Sequence, residues 1–322
     1  MPWEQVLTGS FLIALLTAGI RLAVPVLLAV LGEIITERSG VMNLGIEGIM
    51  LVGGLAGFVT AQTLEQATGI ASLAAWVGLL IGLLTGAAMG LLMAVLTVTL
   101  KTDQVVTGVT FVLLGQGLTS YIFRRATGLL GARVTGLQSW AVPGLSTLPV
   151  AGDILFNHNA IVYLTVALVV LCWLLLFRTH WGLELRAVGE NPAAADTSGL
   201  RVQTIRYLAV MVGAALAGLG GAVLTVVQLN IFTEGIMAGR GWIAIALVFF
   251  SRWHPGGALV GALLFGIADA LQYRIQALGF KALPYEFLLM LPYVLTLVVL
   301  VWGSRQSNTP AALGIPYSKG KG

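Results

Sequence analysis

Charge is what this chain has least of. Aspartate, glutamate, lysine and arginine make up 9% of its 322 residues, whereas a soluble domain covers its surface with roughly 25%. That shortage excludes a water-soluble globular protein of this length. Cysteine is nearly missing too: Cys172 stands alone inside an apolar run, so neither a disulfide within the chain nor a cysteine metal cluster can form. His158, His180 and His254 lie far apart near segment ends and suggest no metal site or catalytic dyad. No Gly-x-x-x-x-Gly-Lys-Ser/Thr loop occurs, so no ATP is bound through a Walker motif and no bound cofactor is expected. Basic residues are scattered, the longest run being Arg124–Arg125, and the net charge of +4 does not point to nucleic acid. No Lys or Arg precedes Arg21, and no short apolar core with a small-residue cleavage site follows, which argues against a cleaved signal peptide.

What is present is apolar sequence in long runs. The chain is 58% hydrophobic with mean hydropathy +0.95. Several runs reach the ~20 residues that a helix rising about 1.5 Å per residue needs to cross a bilayer core of about 30 Å. Backbone groups cannot stay unpaired in lipid, so these runs must be helices. The alternating pattern of a membrane barrel is absent. The expected fold is all-α: one polytopic transmembrane bundle over residues 1–322, with about nine segments (eight to ten), some broken or re-entrant.

Nine segments are predicted at Phe11–Ile35, Leu44–Gln62, Leu73–Leu100, Gln104–Phe123, Ala160–Phe177, Tyr207–Leu229, Phe232–Phe250, Pro255–Leu271 and Pro284–Trp302. The seventh carries Glu234 and Arg240 in its first half and reads equally as a broken or re-entrant helix. Polar stretches fall at Arg124–Asn159, at Arg178–Arg206 and from Gly303 onward, the last read as a loose tail. Placing Arg178–Arg206 in the cytoplasm puts ten basic residues inside and six outside. The N-terminus is then external, 124–159 an external loop and the C-terminus cytoplasmic. Small-residue stripes at Gly82/Gly86/Gly90, Gly213/Ala217/Gly221 and Gly257/Gly261 suit close helix contact, either within the chain or between subunits.

Two stretches carry chemistry. In Gly32–Leu51, polar and ionisable residues interrupt apolar sequence, and Asn43 and Glu47, four apart, are expected on one helical face. A carboxylate at membrane depth must be paired or wet. The segment therefore either borders a translocation path or forms an interfacial loop in which Glu47 caps or pairs locally. In Gly182–Leu200, Asn191 suits an N-cap, Pro192 the first helical position, and Gly199 a left-handed stop. The product is a short rigid helix, either an ordinary connection or a handle for another protein.

The run Ala193-Ala194-Ala195-x-x-x-Gly199 after Arg186-Ala187-Val188-Gly189-Glu190-Asn191-Pro192 resembles the coupling-helix motif of bacterial ABC importer permeases. Glu37-Arg38-Ser39-Gly40-Val41-Met42-Asn43-Leu44-Gly45-Ile46-Glu47-Gly48 and Gly239-Arg240-Gly241-Trp242 followed by Pro255-Gly256-Gly257 resemble the nucleoside and simple-sugar branch of that superfamily. The similarity runs from about Leu22 to Trp302. It implies a non-catalytic permease subunit in a bacterial inner membrane. The implied partners are a separate ABC ATPase, a second and non-identical permease, and an external substrate-binding lipoprotein, besides the lipid bilayer. It assigns Arg186, Gly189, Glu190, Asn191, Pro192, Ala194, Ala195, Asp196 and Gly199 to ATPase coupling. The Glu that usually opens the motif is Ala193 here, which leaves Glu190 or Asp196 to carry the acidic role.

For the substrate path the candidates are Asn43, Glu47, Gln228, Asn230 and Asp269. Each has a structural alternative: local pairing for Glu47 and Asp269, contact with interfacial water for Gln228 and Asn230. The rival function is a self-sufficient secondary transporter or channel, for which Glu47 and Asp269 are the obvious coupling carboxylates. An intramembrane enzyme finds no Ser/His, His-Glu-x-x-His or paired-aspartate signature.

Overall fold

The computed structural model describes residues 8–126, 129–277 and 309–318, with the single positions 287, 290, 294, 297 and 301. Helix α1 spans Gly9–Arg38, α2 Ile46–Thr68, α3 Ala71–Ala94 and α4 Gln104–Arg125. A two-stranded antiparallel pair follows, β1 (Ser139–Ala141) against β2 (Asn157–Asn159), with the short α5 (Ala151–Leu155) between them. Then come α6 (Ala160–Arg178), α7 (His180–Glu190), α8 (Pro192–Thr197), α9 (Val202–Ala222), α10 (Arg240–Ser251) and α11 (Pro255–Ala277). Single π-helical stretches extend α3 through Val95–Thr99 and α9 through Val223–Gln228.

Among the described residues seven helices are long and apolar enough to cross a membrane. They correspond to the predicted segments one to six and eight. The predicted seventh segment is corrected: Phe232–Phe250 is not a continuous crossing but an irregular stretch leading into the 12-residue α10, which covers only about 18 Å at helical rise. The ninth predicted segment, Pro284–Trp302, falls largely outside the described residues.

Contacts between the connections define two ends. At one, Glu65 accepts from the Thr135 amide, Val134 N–H donates to the Asn230 carbonyl, and Arg124 grips Glu234 through two 2.8 Å bonds. At the other, Arg38 donates to the Trp253 carbonyl and Arg206 to the Ser39 and Ile315 carbonyls. The chain thus still passes from end to end through 229–251, as a broken helix.

Helix α9 with its extension is the most enclosed span, and its small residues explain why. A Cβ added to Gly218 would meet the Gly82 carbonyl at 2.5 Å and Gly86 Cα at 2.7 Å. One added to Gly213 would meet the Gly32 carbonyl at 2.6 Å, and one on Gly221 the Met50 carbonyl at 2.0 Å. Helices α1, α2 and α3 therefore all approach α9 at backbone distance, the means by which helices associate where lipid supplies no hydrophobic drive. Gly257 and Gly261 pack on Ser251 and on the Phe250 and Leu247 side chains of α10. The three stripes are spent inside the chain.

Of the tail from Gly303 that was expected to be loose, the described residues 309–318 are hydrogen-bonded into the end of the bundle that holds α7 and α8.

Candidate functional site

The candidate residues fall in three groups, and their hydrogen bonds distinguish them. The first surrounds the broken helix. The amino end of α10 opens at Gly239, in the left-handed region at φ 79°, with no side-chain cap of its own. Its free N–H groups need acceptors. Glu47, near the start of α2, supplies both: one carboxylate oxygen accepts from Gly239 N at 2.8 Å, the other from Gly241 N at 2.7 Å. A negative side chain at a helix amino end is favourable on dipole grounds as well. A Cβ on Gly241 would lie 2.5 Å from Glu47 N, so only glycine admits this approach. Arg240 turns the other way and pairs with Asp269 of α11 at 3.0 Å, both buried. Every charge in this knot has a partner.

Asn43 does not share a helical face with Glu47 as predicted. Helix α1 ends at Arg38, Gly40 takes φ +84°, and Asn43 lies in the loop before α2. Its amide N–H donates to Glu33 at 3.0 Å, and its side-chain oxygen accepts from Gly45 N at 3.0 Å. The loop is locally tied, although Asn43 Nδ2 has no hydrogen-bond partner among the described residues.

The second group lines a cavity of about 920 Å³ between α1, α6, α9 and α11 and under β1 and β2, adjoining the knot at Tyr273, which bonds Arg240. Gln228 and Asn230 border it; Asn43, Glu47 and Asp269 do not. Gln228 is placed by a backbone defect. Pro25 in α1 has no N–H, so the Arg21 carbonyl four residues earlier loses its helical donor. The Gln228 side-chain amide donates to that carbonyl, and the π-helical stretch of α9 carries Gln228 there. Such stretches recur at functional sites. Asn230 holds a left-handed φ of 58° and donates to the Val226 carbonyl at 2.7 Å.

Sequence reasoning missed the rest of the lining: Asn157, Asn159, Asp153, Tyr273 and Arg274, with Arg21 noticed but unassigned. They come from separate segments, so no spacing links them. Buried Asn159 Oδ1, Gln228 Oε1 and Arg274 Nε have no hydrogen-bond partner among the described residues. Each of these atoms is closed off from the cavity, so a hydroxyl-bearing solute would reach two acceptors and a donor only on rotation of their side chains. Its roof is held by Arg21, whose Nε donates to His158 Nδ1 at 3.3 Å, while His158 Nε2 donates to the Ile154 carbonyl at 2.8 Å. Burial, with the Arg21 charge adding to it and the Ile154 bond opposing, holds His158 below its ordinary pKa.

The third group is the stretch Arg186–Gly199. Thr179 caps α7, accepting from Gly182 N at 3.2 Å, and Arg186 lies 5.2 Å over the Phe177 ring. Asn191 caps α8, accepting from Ala194 N at 3.0 Å, with Pro192 in the first turn. Gly199 takes φ +87°, and Leu200 N closes the end on the Ala195 carbonyl at 3.0 Å. Ala195 faces inward and Pro192 is half-buried, while Ala193, Ala194 and Thr197 are exposed, Ala194 beside a groove of about 560 Å³. Gly189 presses on α1, since an added Cβ would come 2.2 Å from the Arg38 carbonyl. Glu190 accepts from Ala311 N at 3.3 Å, and Asp196 meets the Tyr317 hydroxyl. Among the described residues no group of three His, Cys, Asp or Glu side chains could hold a metal.

Comparison with known proteins adds a family. Residues 15–300 match the family model described as branched-chain amino acid transport system / permease component. A guanosine ABC transporter permease of Bacillus subtilis is 37% identical over 306 residues, covering 93% of this chain and 94% of its own. A nucleoside ABC transporter permease of Lactococcus lactis is 35% identical over 92% and 94%. A Haloferax volcanii protein provisionally named a glucose ABC transporter permease is 42% identical over 84% and 80%. No solved structure matches significantly.

Proposed function

Because the chain belongs to the permease component family of branched-chain amino acid transport systems, we propose that it is the membrane-spanning subunit of an ATP-driven importer for nucleosides or simple sugars. The observation that carries this reading is α8: a fully capped, six-residue helix standing open at one end of the bundle and braced against α1 through Gly189. A helix so short does not persist alone in water. Its caps and its brace keep it rigid, as a lever must be. Hydrolysis then belongs to a separate ATPase gripping α8 from the cytoplasm. Nucleotide-driven closure shifts a two-state bundle between outward and inward access. The N-terminal end of α1 and the 920 Å³ cavity face outward, where an external binding lipoprotein delivers solute, and a second, non-identical permease completes the path.

The uncharged polar side chains in the cavity lining, Asn157, Asn159 and Gln228, support a polar, uncharged, hydroxyl-bearing substrate, in keeping with the relatives named for guanosine, nucleosides and glucose. Glu47 and Asp269, the carboxylates a gradient-driven transporter would need, are both engaged in structural contacts, which supports the driven importer over the self-sufficient one. Replacing Gly189–Gly199 with a flexible Gly/Ser linker tests the reading. Membrane insertion is expected to survive while co-purification of the ATPase disappears; retained co-purification with normal uptake would remove α8 from the coupling role.

A further inference from the structure

The joint beneath α8 contains a component that the capped helix alone does not explain. Segment 309–318 lies across it and bonds to five separate parts of the chain. Ala311 N donates to Glu190 Oε2 at 3.3 Å and Ala312 N to the Gly189 carbonyl at 2.9 Å. Gly314 N donates to the Gly40 carbonyl at 3.1 Å, just past the end of α1. Arg206, near the start of α9, donates Nη1 to the Ile315 carbonyl and Nε to the Ser39 carbonyl, each at 3.1 Å. Tyr317 hydrogen-bonds Asp196 on α8, and Lys101 Nζ donates to Ser318 Oγ at 2.7 Å beside the α3–α4 turn. Ala312 is buried, and Leu313 and Tyr317 pack on the core.

The contacts leave little slack. A Cβ on Gly40 would come within 2.9 Å of Arg206 Nη2, 3.1 Å of the Ala312 carbonyl and 3.4 Å of Gly189 Cα. Three backbones therefore meet there, with the buried Arg206 guanidinium beside them. Packed interiors transmit a displacement instead of damping it. Both acidic groups of the coupling stretch, Glu190 and Asp196, are engaged by this segment.

We infer that residues 309–318 form a strap positioning α8 on the transmembrane core, so that a push on α8 moves α1 and α9 together instead of bending the α7–α8 connection. The strap rests on the reading of α8 as the ATPase handle. Its residues touch neither solute nor nucleotide; they are positioning residues for coupling.

Gly314 provides a clean test. It takes φ +78° and has open space where a side chain would go, so Gly314→Val opposes the backbone conformation without a clash, while Gly314→Asn tolerates it. The assay uses the complete transporter in vesicles with guanosine or glucose, whichever the wild type accumulates, and counts ATP hydrolysed per solute imported. Gly314→Val is expected to keep its ATPase yet raise that ratio by about fivefold or more, the low end of ordinary coupling between sites. Gly314→Asn should stay near wild type, and removal of residues 309–322 should reproduce the Val result. An unchanged ratio in Gly314→Val overturns the strap. So does loss of the ATPase from that variant, which would make the segment part of the docking surface, or an equal defect in Gly314→Asn. A wild-type chain that holds no ATPase sinks the handle reading itself, and shows this before any substitution is made.

Discussion

The knot around α10 and the cavity under β1 and β2 both hold polar side chains, but only beside the cavity do described polar atoms go unpaired. In the knot, both Glu47 oxygens are taken by helix amides and Arg240 is paired with Asp269. Beside the cavity, Asn159, Gln228 and Arg274 each have one buried polar atom unpaired among the described residues, closed off behind the wall. An unmet group out of water costs about 1–3 kcal/mol, so such atoms beside a concave site suit a ligand that they meet on side-chain rotation. Spent capacity points to architecture. A rare charge in an apolar helix therefore says that something must answer it, not whether the answer is protein or solute.

The contrast is sharpest at Asp269. Asp269→Ala leaves the buried Arg240 without its carboxylate, with only the Met237 carbonyl and Tyr273 beside it, and the expected loss of stability is about 3–5 kcal/mol. Thermal unfolding in detergent, followed by size exclusion, measures it. The double variant Arg240→Met with Asp269→Leu should recover most of that loss, because an apolar pair can replace a buried ion pair. A stable Asp269→Ala with weakened solute uptake would instead move this residue to the path.

Asn159→Ala should behave in the opposite way. Its side chain makes no cap to α6, so melting should shift little, while KM for uptake rises by about fivefold, the worth of roughly 1 kcal/mol for one hydrogen bond. Unchanged KM with a lowered melting temperature would turn the cavity wall into plain structure.

The smallest effect concerns the roof. The fold holds His158 neutral, with its pKa below the ordinary histidine value. Its contribution to stability is therefore complete above that ordinary value and falls away as pH drops below it. Hydrogen-exchange protection of residues 139–159, corrected for the intrinsic pH dependence of amide exchange, should fall modestly between about pH 7.5 and about pH 5.5, and His158→Gln should flatten the response. Protection that rises on acidification would reverse the assignment.

Hydropathy made the long spans legible, because length and composition alone decide whether a helix can cross. The caps of α8 were legible as well, since Asn191, Pro192 and Gly199 act within one turn of where they stand. What stayed hidden depends on residues distant in sequence. Glu47 caps a helix that begins 192 residues later, and Gln228 repairs a bond lost to Pro25 across the bundle. The cavity draws on helices and strands that share no spacing, and the tail reads as loose because its bonds are mostly backbone bonds to Gly40, Gly189 and Arg206. Asn43 misled by distance alone: four residues from Glu47 suggested one face, but Gly40 turns the chain before the helix starts.

The most direct measurement is uptake by vesicles containing the purified permease pair, with and without the ATPase, the binding protein and ATP. The account predicts accumulation of nucleoside or sugar only when all components and internal-face ATP are present, and none from an ion gradient. Accumulation by this chain alone, driven by such a gradient and abolished by a protonophore, would contradict it.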